Sequence, residues 1–163
     1  MLFRSGASGD TITIPSGATL TNSGTATGFG KVLQVITAVF TTEVTTTSTS
    51  YVTTGVNATI TPSSASNKIL ILVNGTGENT SSSYNSVHTL FRGATDLDTK
   101  GSGLIQMYNS AGITRASLAI SILDSPNTTS ATTYTVYMKV TNAASTAKFG
   151  QTDSIITLIE IAG

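Results

Sequence analysis

His88 is the only histidine in the chain, and Asp96, Asp98 and Asp124 follow it among abundant serines, so nucleophilic hydrolysis is the first chemistry to test. A serine nucleophile in an α/β-hydrolase setting sits in a G-x-S-x-G elbow, which holds its hydroxyl exposed. The sequence contains no such elbow; Gly101-Ser102-Gly103 comes nearest, and it is too short and falls in an expected loop. Nothing local ties His88 to an aspartate in the manner of a triad. The run Asp96-Leu97-Asp98-Thr99-Lys100-Gly101 begins like a calcium-binding loop. Lys100, however, puts an ammonium where the third oxygen ligand belongs, and the twelfth position is Met107 instead of a glutamate. The expected reading of this run is a charged hairpin tip. Glycoside cleavage needs two carboxylates about 5 to 9.5 Å apart, and the eight acids are scattered singly apart from Asp96 and Asp98. With no cysteine there is no thiolate, no disulfide and no Cys-based metal site. The residues therefore predict no catalytic group, no metal and no cofactor.

One constellation could bind without reacting. With Val87, Thr89 and Phe91 directed into a core, Tyr84, Ser86, His88, Leu90 and Arg92 share the opposite strand face. Tyr84 would offer a flat apolar platform and Arg92 a bidentate donor, so Tyr84, His88 and Arg92 could grip a sugar or a carboxylate. The plainer reading of the same face is a subunit interface, where Tyr and Arg are also enriched. The Ser/Thr-rich loops at 45–50 and 125–133 are expected to be solvated connections. Sequons at Asn57, Asn74, Asn79 and Asn127 carry no weight in so hydroxyl-rich a chain.

The elements that must position these residues are strands. In 163 residues, 32 Thr and 21 Ser supply the polarity that charge usually gives, since only 10% of residues are charged and the net charge is zero. No basic cluster is present to neutralise a phosphate backbone, so no nucleic-acid partner is expected. No apolar run approaches the ~18 residues of a membrane helix, and the start lacks a signal peptide's apolar stretch, so no membrane partner is expected. Segments rich in β-branched and aromatic residues, bounded by Gly, Pro, Asn, Asp or Ser, predict strands at 32–44, 51–60, 68–74, 84–92, 104–108, 114–123, 132–140 and 154–161. This spacing predicts an all-β, antiparallel β-sandwich of the jelly-roll kind, with no capped helix anywhere. In the strand at 132–140, strict alternation directs Tyr134, Val136, Met138 and Val140 inward. The runs 69–73 and 155–161 are apolar on both faces, which requires that the second face also be covered.

Residues 1–30 differ in kind from the knob domain expected at 31–163. Between Thr11 and Gly30 the large apolar residues are Ile12, Ile14, Leu20 and Phe29. Burying each yields roughly 1.5 to 3 kcal/mol, while ordering twenty backbones costs about 1 to 2 kcal/mol apiece. A strand-and-turn pattern on so little apolar surface predicts a short extended β segment that borrows its core from other copies or from a docking partner.

The pieces Gly9-Asp10-Thr11-Ile12-Thr13-Ile14-Pro15-Ser16-Gly17-Ala18-Thr19-Leu20 and Gly24-Thr25-Ala26-Thr27-Gly28-Phe29-Gly30-Lys31-Val32-Leu33-Gln34-Val35 resemble the shaft-to-knob entry of bacteriophage virion appendage proteins, notably those of marine and cyanobacterial phages. The segments 120–134 and 156–162 are similar to the C-terminal β-sandwich of that group. The resemblance implies a homotrimeric tail-fibre or head-fibre knob located in the virion. Residues 1–30, through Ile12, Ile14, Leu20 and Phe29, would anchor it to capsid or tail proteins and intertwine the copies. So short a lead-in departs from long tail fibres and favours a short fibre or a capsid decoration protein. The alternative function is a receptor-binding or carbohydrate-binding module that meets a host surface glycan.

Overall fold

The computed structural model describes residues 15–17, 32–81, 83–108 and 110–163. The chain divides into two units, Met1–Gly30 and Lys31–Gly163. In the first, the described residues form a turn at Pro15, Ser16 and Gly17, with Gly17 at φ +84°. The anchoring residues Ile12, Ile14, Leu20 and Phe29 lie outside the described residues.

The second unit is all-β. Its strands are β1 (Val32–Phe40), β2 (Val44–Thr46), β3 (Val52–Ile60), β4 (Lys68–Asn79), β5 (Asn85–Arg92), β6 (Thr95–Asp96), β7 (Ile105–Tyr108), β8 (Thr114–Asp124), β9 (Thr132–Val140), β10 (Ala147–Phe149) and β11 (Ser154–Ile161). All pairings are antiparallel, and they build two sheets. Sheet A runs β1-β11-β4-β8, with β10 pairing the far half of β4 and β2 pairing β10. Sheet B runs β3-β9-β5, with β6 and β7 pairing opposite ends of β5. The sheets pack face to face as a β-sandwich around one core, drawn from Ile69, Ile71, Val73, Leu118, Ile120, Ile156 and Leu158 of sheet A and Val56, Ile60, Leu90, Val136 and Met138 of sheet B.

β9 alternates as its sequence dictates: Tyr134, Val136, Met138 and Val140 are buried, and Thr133, Thr135, Tyr137 and Lys139 stand half-exposed on the other side. Two boundaries differ from the expectation. The strand expected at 32–44 stops at Phe40 and resumes as β2. The strand expected at 68–74 continues to Asn79 through Gly75 and Gly77, which read as turn residues in the sequence. These glycines are sites of close approach. A Cβ at Gly75 would stand 2.7 Å from Phe149 Cζ, and one at Gly77 2.6 Å from Leu118 Cδ1, so β4 dispenses with side chains where β10 and β8 fill the space.

Candidate functional site

The structure does not assemble the Tyr84, His88 and Arg92 face. β5 has the opposite facing to that expected: Ser86, His88 and Leu90 point into the sandwich, and Val87, Thr89 and Phe91 point outward. Tyr84 precedes the strand, and its backbone carbonyl accepts a bond from Asn79 Nδ2 at 2.6 Å. His88 is fully buried against Phe149, ring centroids 5.8 Å apart. Neither ring nitrogen finds a well-aligned partner. Burial drives its pKa down to about 4, and the Lys148 backbone only partly opposes this, so the ring is neutral at pH 7. Arg92 is committed to the fold: Nη1 donates to both Asp124 oxygens at 2.9 Å, and Tyr134 Oη donates to Asp124 Oδ2 at 2.7 Å. Because Asp124 ends β8 and the other two belong to β5 and β9, the cluster clamps one sheet to the other. Burial and the Asp124 bond together push the Tyr134 hydroxyl pKa well above its ordinary value.

The carboxylates that resembled a calcium loop are turned onto backbone donors. Asp96 Oδ1 accepts from Thr89 Oγ1 at 2.6 Å and from the Asp98 amide at 3.0 Å. Asp98 accepts from the amides of Lys100 at 2.9 Å and Gly103 at 2.6 Å. These bonds fold residues 97–104 back over the outward side of β5, where a Cβ at Gly103 would run into Val87. Tyr51 completes this cover. Its ring packs edge-on against Phe91 at 5.7 Å, Phe91 meets Tyr137 at 4.4 Å, and Lys139 Nζ stands 4.2 Å from the Tyr51 ring centroid. Burial, then the nearby Asp96 and Asp98 charges, push the Tyr51 hydroxyl pKa up to about 12. The outer side of sheet B is thus finished by its own residues, with Thr59 and Thr133 hydroxyls paired at 2.7 Å beside the aromatic cluster.

The outer side of sheet A has no such finish. Register places Val35, Ile159, Leu70 and Leu123 side by side across all four strands. The next row is Thr37, Thr157, Leu72 and Ser121, and the one after it Val39, Ile155, Asn74 and Ala119. Val35, Val39 and Leu123 are 55%, 56% and 53% exposed, and Val32, Leu33 and Ile155 join them. Among the described residues β1 is also an edge strand, nine residues without a charge or a proline, the devices that ordinarily blunt an edge. Contiguous apolar area of this kind marks an interaction surface.

Charge is kept to the margins of this face. At one end Arg115 Nη2 donates to Glu78 Oε2 at 2.6 Å, while Lys148 lies 3.3 Å from Glu78 and 3.6 Å from Glu43. At the other end Lys68, opposite Ile161 and two residues from Leu70, is exposed on this outer side, while Glu160 points inward and is buried. Its carboxylate accepts from Gln34 and Asn67 side chains, both at 2.6 Å, and from the Ser63 amide at 2.7 Å and hydroxyl at 2.8 Å. Burial alone would raise its pKa; the Asn67, Gln34 and Ser63 donors outweigh burial and hold it at about 2. Among the described residues no group of three or more His, Asp or Glu side chains is gathered to hold a metal, and no helix is long and apolar enough to cross a membrane.

The sequence signal for the apolar face was the two-sided character of the runs in β4 and β11. The contributions of Val35, Val39 and Leu123 emerge only once register aligns them. The aromatic cluster of Tyr51, Phe91 and Tyr137 had no sequence signal, because these residues come from three separate segments. No known protein family matches this sequence, and no curated protein sequence matches it.

Proposed function

We propose that this chain is a non-enzymatic structural protein of a bacteriophage virion, a homotrimeric short fibre or capsid decoration knob. The observation that carries the reading is the apolar outer side of sheet A: among the described residues it leaves Val35, Val39, Leu123 and Ile155 exposed beside half-exposed Leu70, Leu72 and Ile159, and further copies of the chain would cover them. The hydroxyl-rich, nearly uncharged remainder suits a particle component exposed to variable salt. The strand order β1-β11-β4-β8 over β3-β9-β5-β7 supports a jelly-roll reading of the sandwich. The resemblance of residues 9–35 and 120–134 to phage appendages supports placement in the virion, with residues 1–30 as the attachment to capsid or tail proteins. The test is the mass of the full chain in solution. Light scattering at micromolar concentration is expected to give three times the 16.7 kDa of one chain, and a monomer mass would overturn the proposal.

A second reading, a carbohydrate-binding module, draws on the half-exposed aromatic cluster of Tyr51, Phe91 and Tyr137. It ranks behind the first because Lys139 and the 97–104 loop already occupy much of that surface.

A further inference from the structure

We infer that the copies meet through the outer side of sheet A, its four strands closing with those of two further copies into a three-sided prism with Leu70 and Ile159 nearest the axis. This rests on the homotrimer proposed above and assigns the seam to the sandwich instead of residues 1–30.

Three properties of the face support it. The first is its width. Four strands at a spacing of about 4.8 Å make a face about 19 Å wide. Three such faces, with the flanking strands of neighbouring copies kept about 4.8 Å apart at each corner, stand roughly 7 Å from their common axis. Leucine and isoleucine side chains of the three sheets would reach the axis from that distance.

The second is area. The eight residues of β11 span about 26 Å at ~3.3 Å per residue, so the face measures roughly 500 Å² in projection. Each copy would bury its whole face of about 500 Å², against the ~800 Å² per partner of a standard stable interface, so the exposed Val32 and Leu33 beside the rows would have to join the seam. A single face of this size is also at the upper end of what a monomer ordinarily leaves uncovered.

The third is the distribution of residue types. The inner strands β11 and β4 contribute Ile159, Leu70, Leu72 and Ile155, which would fill the axis. The flanking strands β1 and β8 contribute Val35 and Leu123, exposed to nearly the same degree. In a closed three-fold ring the β1 flank of one copy faces the β8 flank of the next, a heterologous contact that leaves no end open. Val35 and Leu123 occupy the same cross-strand row and are matched for it. Of the hydroxyls in the second row, Thr37 and Thr157 already pair with each other at 3.3 Å, and Ser121, on the flanking strand β8, would take a partner from the neighbouring copy. The ionic groups Glu43, Glu78, Arg115 and Lys148 stay at one end of the prism and Lys68 at the other, where water reaches them.

The chain has no cysteine, so a single introduced thiol reports its own neighbours. The full-length Leu70→Cys variant would be treated with a short bis-maleimide beside a Thr135→Cys control on the outer side of sheet B. Around a three-fold axis the Leu70 Cα positions lie about 13 Å apart, beyond the ~7 Å Cα limit of a disulfide, while the inward-pointing thiols come within a short linker's reach. The expected result is at least tenfold more cross-linked dimer from Leu70→Cys than from Thr135→Cys, both variants having trimer mass. Trimer mass with no preference for Leu70→Cys would overturn the seam and leave the homotrimer standing; the face would then be covered from elsewhere, residues 1–31 included. A stable dimer mass would overturn the three-fold closure, and a monomer mass would overturn the seam and the homotrimer together.

Discussion

The two sheets share a core but finish their outer sides differently. Sheet B covers itself: Tyr51, Phe91 and Tyr137 pack together, the Asp96–Asp98 turn lays a loop over Val87, and threonines face the water between them. Sheet A presents an uninterrupted row of Val35, Ile159, Leu70 and Leu123 and an unblunted edge. One chain thus carries a face suited to solvent and a face suited to other protein, and the difference gives the molecule a direction. A β-sandwich made for life as a monomer would have no reason to spend its apolar residues on both sides of β4 and β11, since only the inner side contributes to its own core.

The largest expected effect comes from placing a charge on each side. Leu70→Lys puts three ammonium groups beside one another at the proposed axis, where their desolvation is uncompensated. Light scattering should show the mass falling about threefold at micromolar concentration, while circular dichroism retains the β-sheet spectrum because Leu70 lies outside the sandwich core. Thr135→Lys on sheet B should leave the mass unchanged. Equal effects at the two positions would erase the distinction between the faces.

Much of this contrast was legible in the sequence. All eight long strands announce themselves by β-branched content, and the alternation in Tyr134-Thr135-Val136-Tyr137-Met138 gives the facing of β9 outright. The two-sided runs of β4 and β11 already require a second cover. β5 misleads because its outer side looks the more plausible as core. Val87, Thr89 and Phe91 are more apolar than Ser86, His88 and Leu90, and polar Ser and His ordinarily argue for the surface. The deciding fact is the 97–104 loop, which lets Val87 and Thr89 be buried on the outer side, and no local periodicity encodes that. The short β10 was hidden for a similar reason: three residues are too few to show a period, and its place is fixed by Gly75 and Gly77 on its neighbour.

A smaller but sharper contrast lies on the inner sides. His88 of sheet B and Glu160 of sheet A both point inward, and the two respond to acid in different ranges. Burial lowers the folded pKa of His88 from 6.5 to about 4, so its contribution is intact above pH 6.5 and declines as the pH falls toward 4, where the unfolded chain binds the extra proton. The Glu160 carboxyl is held at about 2 against an ordinary 4.5, so its contribution is intact above pH 4.5 and declines toward 2. At ~1.4 kcal/mol per pKa unit each amounts to about 3 kcal/mol. Melting temperature followed from pH 7.5 to 2.5 should therefore fall in two successive stages. Glu160→Gln should start from a lower melting temperature at pH 7, keep the upper stage and shrink the lower one, to which Glu78 and Asp98, also held below their ordinary values, contribute. A lower stage of undiminished size in the variant would mean that Glu160 does not set it.

Salt should produce the smallest effect, and its smallness discriminates between kinds of seam. The described ion pairs are Arg92 with Asp124, Arg115 with Glu78, and Lys148 with Glu43 and Glu78. None lies within the rows of sheet A that carry Val35, Leu70 and Ile159. Exposed pairs are worth about 0 to 1 kcal/mol, and partly buried ones are screened far less than the ~3 Å Debye length of molar salt implies for charges in open water. Within the three rows the seam has no charge to screen, and the Lys68 ammonium beyond their end is exposed, so salt would if anything relieve repulsion between copies there. Raising sodium chloride from low concentration to about half-molar should thus move the melting temperature by no more than roughly 3 °C, about 1 kcal/mol for a domain of this size, and leave the trimer mass unchanged. Dissociation at half-molar salt would require charges at the seam. Since sheet A keeps Glu43, Glu78, Arg115 and Lys148 at one end, that outcome would move the contact from the hydrophobic rows to that charged end and remove the asymmetry on which the assembly argument stands.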